Sequence, residues 1–315
     1  METRTVKPNR SATSSGLHFY NLYQCCQRKF FLRFGPPRLE PLFVATPLLL
    51  GGAFHEGKAE FYRTGKDKHA LALVKDEIKD RKGEFENRDE YLETLSRAPA
   101  MLESWINEFG KDDLKYLKII DVEKMIKIPF PGKPKWNFTM RLDLIAEDRF
   151  DNFLVFETKT SSWSIKSTLI NIECGDQATA YLWGATKHYR RKVTAVVPDI
   201  TFFSKNAADV RAIKNYRGEL FYREPEDFAF FSRSMVQVAS EISQKMHAVQ
   251  KGADPAIFAR NPYFCPAFNR KCEYADICRM NLTGKSKVPA GFRKRPGKFS
   301  TPEMFQPLED AIAGS

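Results

Sequence analysis

WNFTMRLDLIAEDRFDNFLVFETKTS, Trp136 to Ser161, decides how this chain is read. Phe138–Ala146 and Phe153–Thr160 are rich in apolar, β-branched and aromatic residues, and the polar segment Glu147–Asn152 separates them. That is the pattern of two strands joined by a hairpin turn. Asp143 lies in the first strand, and Glu157-Thr158-Lys159 ends the second. Residues two apart in a strand share a face, so Glu157 and Lys159 project together while Thr158 points away. An ionised carboxylate in an apolar strand is costly unless it is paired or metal-bound. A buried Glu157–Lys159 salt bridge and a divalent-metal site that activates water both meet that condition.

Working outward, Lys118–Phe130 (KIIDVEKMIKIPF) is an earlier strand of imperfect alternation that ends in the turn Pro129–Gly132. After the hairpin come a helix over about Gly175–Tyr189, a strand over Lys192–Phe203, a further strand at Arg217–Tyr222 and a periodic helix over Pro225–Gln250. This order predicts an α/β fold with a central mixed sheet flanked by helices. Leu17–Phe34 is aromatic, basic and helical in period, and Gly35-Pro36-Pro37 stops it. PLLLGGAFHEGKAEFYRTG breaks at Gly51-Gly52 before a helix carrying His55. Residues 66–110 are charged and helical in period, and read as an insertion or arm able to clamp nucleic acid. The predicted organisation is a disordered segment 1–16, one domain over 17–282 with its core at about 117–222 and a cysteine region at 255–282, and a basic flexible tail over 283–315.

With 315 residues, 43% of them hydrophobic, the chain can bury a sizeable core. A formal charge of +11 favours a polyanionic partner, nucleic acid before anionic membrane; a merely solubilising surface is the bland alternative. The most apolar run, Pro41–Phe54, is shorter than the roughly 20 residues a membrane span needs, so the expectation is a soluble, cytoplasmic protein. There its six cysteines stay reduced, and their placement points to metal ligation more than to disulfides.

Gln177 and Tyr181, four apart in the predicted helix, share one face. They complete an ordered series: Gly51-x-x-x-His55, Asp143, Glu157-x-Lys159, Gln177-x-x-x-Tyr181. The series resembles the RecB-like branch of the PD-(D/E)XK nuclease superfamily, which includes the AddB-type and CRISPR-adaptation exonucleases. The resemblance spans roughly residues 17–280 and implies a restriction-endonuclease-like core and a metal-dependent DNA exonuclease. It assigns Mg²⁺ or Mn²⁺ to His55, Asp143, Glu157 and the backbone carbonyl of Thr158. Lys159 then orients or deprotonates the attacking water, or stabilises developing charge. Gln177 and Tyr181 position the substrate or Lys159.

Iron–sulfur members of that branch have one cysteine far N-terminal and three near the C-terminus, which Cys26, Cys265, Cys272 and Cys278 match. The resemblance thus implies a [4Fe–4S] cluster acting as a structural staple. Gln27 stands where relatives have proline, and Cys265-x6-Cys272 is longer than the short spacing of many of them. Cys25 therefore stays open beside Cys26, and zinc stays open as the alternative metal. Cys174 fits no set and reads as a buried free thiol.

The implied partner is DNA, single-stranded or with free ends. No Gly-x4-Gly-Lys-Ser/Thr motif occurs, so unwinding falls to a helicase or recombination partner. Arg28, Lys29, Arg33 and Arg293–Arg295 are candidate phosphate contacts, and Phe30, Phe31 and Trp163 candidate base-stacking residues. Two other readings stand beside this one: a non-catalytic DNA-binding subunit, and a zinc-stapled RNA-processing nuclease.

Overall fold

Phe153, Leu154, Val155 and Phe156 are all buried, a run without alternation that suits a strand covered on both faces. In the computed structural model, which describes residues 16–162, 164–204, 212–266 and 271–295, that strand sits at the centre of a five-stranded sheet. In chain order the elements are α1 (Leu17–Cys25), α2 (Gln27–Phe34), β1 (Leu39–Pro41), α3 (Thr46–Thr64), α4 (Asp67–Asp80) and α5 (Arg88–Trp105). Next come α6 (Lys111–Tyr116), β2 (Lys118–Phe130), β3 (Lys133–Glu147), β4 (Phe153–Ser161), α7 (Ile165–Cys174) and α8 (Asp176–Tyr189). The last are β5 (Ala195–Phe203), β6 (Ile213–Arg217), α9 (Pro225–Gln250) and β7 (Phe292–Lys294). Two units share them: Phe43–Lys127 with Met140–Ala229, and residues up to Leu42 with Ile128–Thr139 and everything from Phe230.

Most of the sheet, ordered β2-β3-β4-β5-β6, lies in the first of these units. β3 and β4 pair antiparallel, β4 and β5 parallel, β5 and β6 antiparallel, as the mixed sheet expected from the element order requires. The Asp148 carboxylate closes the β3–β4 hairpin by accepting from Phe150 N at 2.8 Å and Asn152 N at 3.0 Å. Phe54, Val74, Ile78, Leu102 and Trp105 from α3, α4 and α5 share one core with Leu144 and Phe156 of the sheet. The charged 66–110 segment thus packs its apolar side inward and does not stand off as an arm. Gly57 permits that approach, because a Cβ there would meet Val74 Cγ2 at 2.3 Å and Leu102 Cδ2 at 2.6 Å.

Several boundaries differ from those read in the sequence. α3 runs unbroken through Gly51-Gly52, because Gly51 lies against β4, where a Cβ would meet Thr160 Oγ1 at 3.2 Å. Helix α7 was absent from the sequence reading; Ser164 caps it by accepting from Ser167 N at 3.1 Å. The sheet's last strand lies at Ile213–Arg217, overlapping the expected Arg217–Tyr222 at Arg217; within the rest of that stretch Phe221 is bridged, to Val196. Cys174 is exposed, not buried: it closes α7 outside the core.

A buried charge network occupies the same unit. Lys58 Nζ donates to Asp199 Oδ2 at 2.6 Å and to Thr158 Oγ1 at 2.8 Å. Arg217 Nη2 reaches Asp199 Oδ2 at 2.8 Å and Asp113 Oδ2 at 2.7 Å, and Tyr62 OH donates to Asp113 Oδ2 at 2.7 Å. Burial raises the Asp199 carboxyl, but Lys58 and Arg217 overcome it and hold the group down at about 2.

In the second unit the expected single helix over Leu17–Phe34 is broken at Cys26, whose backbone is extended at φ −160° and ψ 103°. Phe19, Tyr20, Tyr23, Phe30 and Phe31 are fully buried there, and Tyr20 stacks on Phe138 with centroids 5.6 Å apart. Phe30 and Phe31 are therefore core residues, unavailable to stack on bases. Arg28 is also spent internally: its guanidinium donates to the carbonyls of Cys278 at 2.9 Å, Pro255 at 3.3 Å and Met280 at 2.6 Å. Lys29 is paired with Glu273 at 2.8 Å. Phe292–Lys294, inside the segment expected to be a flexible tail, forms β7 and pairs antiparallel with β1. The expected disordered N-terminus before Gly16, Trp163 and the rest of the tail lie outside the described residues.

Candidate active site

Among the described residues the β3–β4 ladder ends at Leu144 and Phe156. Beyond that pair β4 continues alongside β5 alone, from Glu157 opposite Pro198 to Ser161 opposite Phe202. Asp143 and Glu157 therefore stand at the fork where two strands part. The Asp143 carboxylate takes up the backbone donor that the fork leaves: Thr158 N donates to its Oδ2 at 2.9 Å.

The candidate residues converge here. His55 Nδ1, from α3, lies 3.6 Å from Asp143 Oδ1. Glu157 is 1% exposed; its Oε1 pairs with Lys159 Nζ, while Oε2 has no hydrogen-bond partner among the described residues. Lys159 Nζ donates to Gln177 Oε1 at 2.9 Å, and Gln177 Nε2 donates to Tyr181 OH at 3.0 Å. The helical pair thus reaches the lysine, one of the two alternatives left open by the spacing. The Glu157–Lys159 ion pair exists, and it leaves one buried carboxylate oxygen without a hydrogen-bond partner among the described residues.

Glu123 of β2 is the residue that sequence reasoning missed. Its Oε1 lies 3.2 Å from His55 Nδ1, and Arg141 Nε binds its Oε2 at 2.8 Å. The ligand atoms of His55, Glu123 and Asp143 all lie within 4.8 Å of one another. The imperfect alternation of KIIDVEKMIKIPF was the only hint, since Glu123 is where that strand's regularity breaks, at φ +51°.

An imidazole and buried carboxylates, one with an orphaned oxygen, form a donor set that suits Mg²⁺ or, through the imidazole, Mn²⁺. Without a cation, burial raises the Asp143 carboxyl to about 7, with Glu157 and Glu123 adding to the rise and His55 opposing it. Burial lowers His55, but Asp143 and Glu123 outweigh it and raise the imidazole above its ordinary value. Lys159 is likewise pulled down by burial and carried back above its ordinary value by Glu157 and Asp143, so it stays an ammonium. A cation held by Asp143 and His55 would have to displace their protons, so its affinity would fall as pH drops below about 7. Calorimetry with Mn²⁺ should show Kd rising about tenfold per pH unit for each displaced proton, with proton release on binding. A Kd unchanged between neutral and mildly acid pH would refute that picture.

The four candidate cysteines belong to the other unit. Cys26 is buried at the α1–α2 break, and Cys265, Cys272 and Cys278 are half-buried. Burial raises the thiols of Cys272 and Cys278, and the charge of Cys26 adds to the rise of both. Cys265 acts on Cys278 in the same sense, and Cys272 N donates to Cys265 O at 2.8 Å. Cys25 presents its carbonyl to Asn261 Nδ2 at 2.9 Å.

Residues 19–279 match the sequence pattern of the PD-(D/E)XK nuclease superfamily. The chain belongs to that superfamily. Its mixed five-stranded sheet flanked by helices is consistent with the restriction-endonuclease-like fold. As a PD-(D/E)XK nuclease domain it acts on nucleic acid, and members commonly use Mg²⁺ or Mn²⁺. No curated protein matches the chain. Among solved structures it is similar to one described as the crystal structure of SSO0001, at 17% identity over 78% of this chain and 89% of that one. The TM-score is 0.32, too loose a likeness to carry an argument about this chain. No helix among the described residues is long and apolar enough to cross a membrane.

Proposed function

We propose that this PD-(D/E)XK nuclease is a RecB-like DNA exonuclease, acting on single-stranded DNA or DNA ends in recombination, repair or phage-type DNA processing. The convergence of His55, Asp143, Glu157, Lys159, Gln177 and Tyr181 at the β3–β4 fork carries this reading. His55, Asp143, Glu157 and the carbonyl of Thr158 would hold Mg²⁺ or Mn²⁺. Bound there, such an ion makes a nucleophile of water at neutral pH and neutralises phosphate charge. Lys159 serves as a fixed cation: Glu157 keeps it protonated and Gln177 holds its Nζ, so it stabilises negative charge gathering on the attacked phosphate. Tyr181 fixes the Gln177 amide and so belongs to the positioning of Lys159.

Cys26, Cys265, Cys272 and Cys278 are assigned to a [4Fe–4S] staple. Cys26 bears on the thiols of Cys272 and Cys278, and Cys265 on that of Cys278, which supports the set. Arg28 supports the same assignment: a buried guanidinium bonded to carbonyls, beside Cys26 and Cys278, suits an anionic cluster.

The test is digestion of end-labelled single- and double-stranded DNA and RNA by anaerobically purified protein, with Mg²⁺ or Mn²⁺. The expected result is metal-dependent shortening of DNA from an end by a brown protein containing iron. Cleavage of RNA alone, or a colourless preparation containing zinc, would overturn the corresponding part.

A further inference from the structure

Glu123 occupies the left-handed region, φ +51°, in the middle of β2. For a residue with a side chain such a conformation is strained and persists where the surroundings over-determine it. Here the fixings are on the side chain: Arg141 Nε holds Oε2 at 2.8 Å, and Oε1 lies 3.2 Å from His55 Nδ1. The side chain is only 9% exposed. The break also changes which residues face the core. Before it, Ile119 and Val122 pack with the α3–α5 core; after it, Ile126 reaches Gly184 of α8. Glu123 thus stands where the packing of β2 changes, and it is a carboxylate in the candidate metal centre.

Two roles fit a carboxylate beside a ligating histidine. One that orients the ring binds the nitrogen turned away from the metal. Glu123 Oε1 instead meets the same nitrogen as Asp143 Oδ1, at 3.2 Å and 3.6 Å from Nδ1. The Glu123 separation is close to the ~3 Å edge of an octahedron with bonds of about 2.1 Å, and the Asp143 separation is somewhat wider. The orphaned Oε2 of Glu157, buried one residue from the amide that binds Asp143, is an independent sign that a cation belongs here.

We infer that Glu123 is a further side-chain ligand of the divalent-cation site, through Oε1, with Arg141 holding its other oxygen. This rests on the reading of the fork as a metal centre. With it the site has three carboxylates and an imidazole, more anionic charge than the ordered sequence motifs supply.

The test is Mn²⁺ binding by calorimetry and electron paramagnetic resonance on the intact protein, comparing wild type, Glu123→Gln, Glu123→Cys and Asp143→Asn. Glu123→Gln keeps an oxygen that can face His55 but removes the charge, so Mn²⁺ affinity should fall about 10–100-fold. Glu123→Cys should lose Mn²⁺ affinity and gain Cd²⁺ affinity over wild type, since thiolate suits the softer ion; a residue that merely orients His55 gives no such exchange. If Glu123→Gln does not fold, the cysteine variant decides. Wild-type-like Mn²⁺ binding by Glu123→Gln, with binding lost in Asp143→Asn, would overturn the role of Glu123 alone. A wild type that binds no more Mn²⁺ than Asp143→Asn would overturn the metal-centre reading and the inference with it.

Discussion

Lys159→Ala is expected to lower metal-dependent DNA cleavage by about 10²–10⁴-fold, the range for losing a fixed cation or proton-transfer group at a reacting centre. Asp143→Ala is expected to leave no measurable cleavage, because it removes both a proposed metal ligand and the acceptor of the Thr158 amide. Lys159 is the sharper probe. Its Nζ joins Glu157 to Gln177, and Gln177 is held in turn by Tyr181. Truncation removes the cation while the fork between β3 and β4 keeps its backbone. A drop in kcat at near-constant Mn²⁺ affinity would place Lys159 in charge stabilisation, whereas a parallel loss of Mn²⁺ binding would place it in the support of Glu157. Tyr181→Phe removes one hydroxyl from the far end of this chain and should cost less than Lys159→Ala. Single-stranded DNA digested equally well by wild type, Lys159→Ala and Asp143→Ala would sink the site assignment.

Asp199→Ala is expected to destabilise the fold by about 3–5 kcal/mol, the cost of stripping one partner from a buried ion pair. Asp199 is 1% exposed and answers two cations, Lys58 at 2.6 Å and Arg217 at 2.8 Å. Without it both stay buried, with Asp113 as the remaining carboxylate on Arg217. Burial already lowers the Lys58 ammonium, and Asp199 is the main group opposing that fall, so the variant should shed the Lys58 proton. Urea unfolding followed by tryptophan fluorescence suits the measurement, because Trp105 Nε1 donates to the Asp199 carboxylate at 3.1 Å. A loss under about 1 kcal/mol would show that the network is not a structural necessity. Lys58 also donates to Thr158, between Glu157 and Lys159, so Lys58→Met should loosen α3 from β4 and reduce activity along with stability.

Particular residues show where sequence reasoning stopped. Gly51-Gly52 read as a break because glycine lowers helix propensity, yet Gly51 allows close contact with β4, as Gly57 does with α4 and α5. Arg28 read as a phosphate contact because a basic residue in a basic run is exposed by default. Three carbonyls more than 220 positions away, on Pro255, Cys278 and Met280, make it internal instead. Phe30 and Phe31 read as candidates for base stacking and lie in the core for the same kind of reason.

What the residues specified unaided were local and linear properties. The apolar run Phe153–Phe156, the hairpin polar at Glu147–Asn152, and the order His55, Asp143, Glu157-x-Lys159, Gln177-x-x-x-Tyr181 each follow from side-chain period or spacing along one strand or helix. These sufficed for the mixed sheet and for the membership of the superfamily. Tertiary structure alone decided how the parts meet: the end of the β3–β4 ladder at Leu144 and Phe156, the reach of Gln177 to Lys159, and the arrival of Glu123 beside His55. Each is a contact between elements remote in sequence. Glu123 depends further on one backbone conformation in the middle of a strand, which no periodicity of side chains encodes.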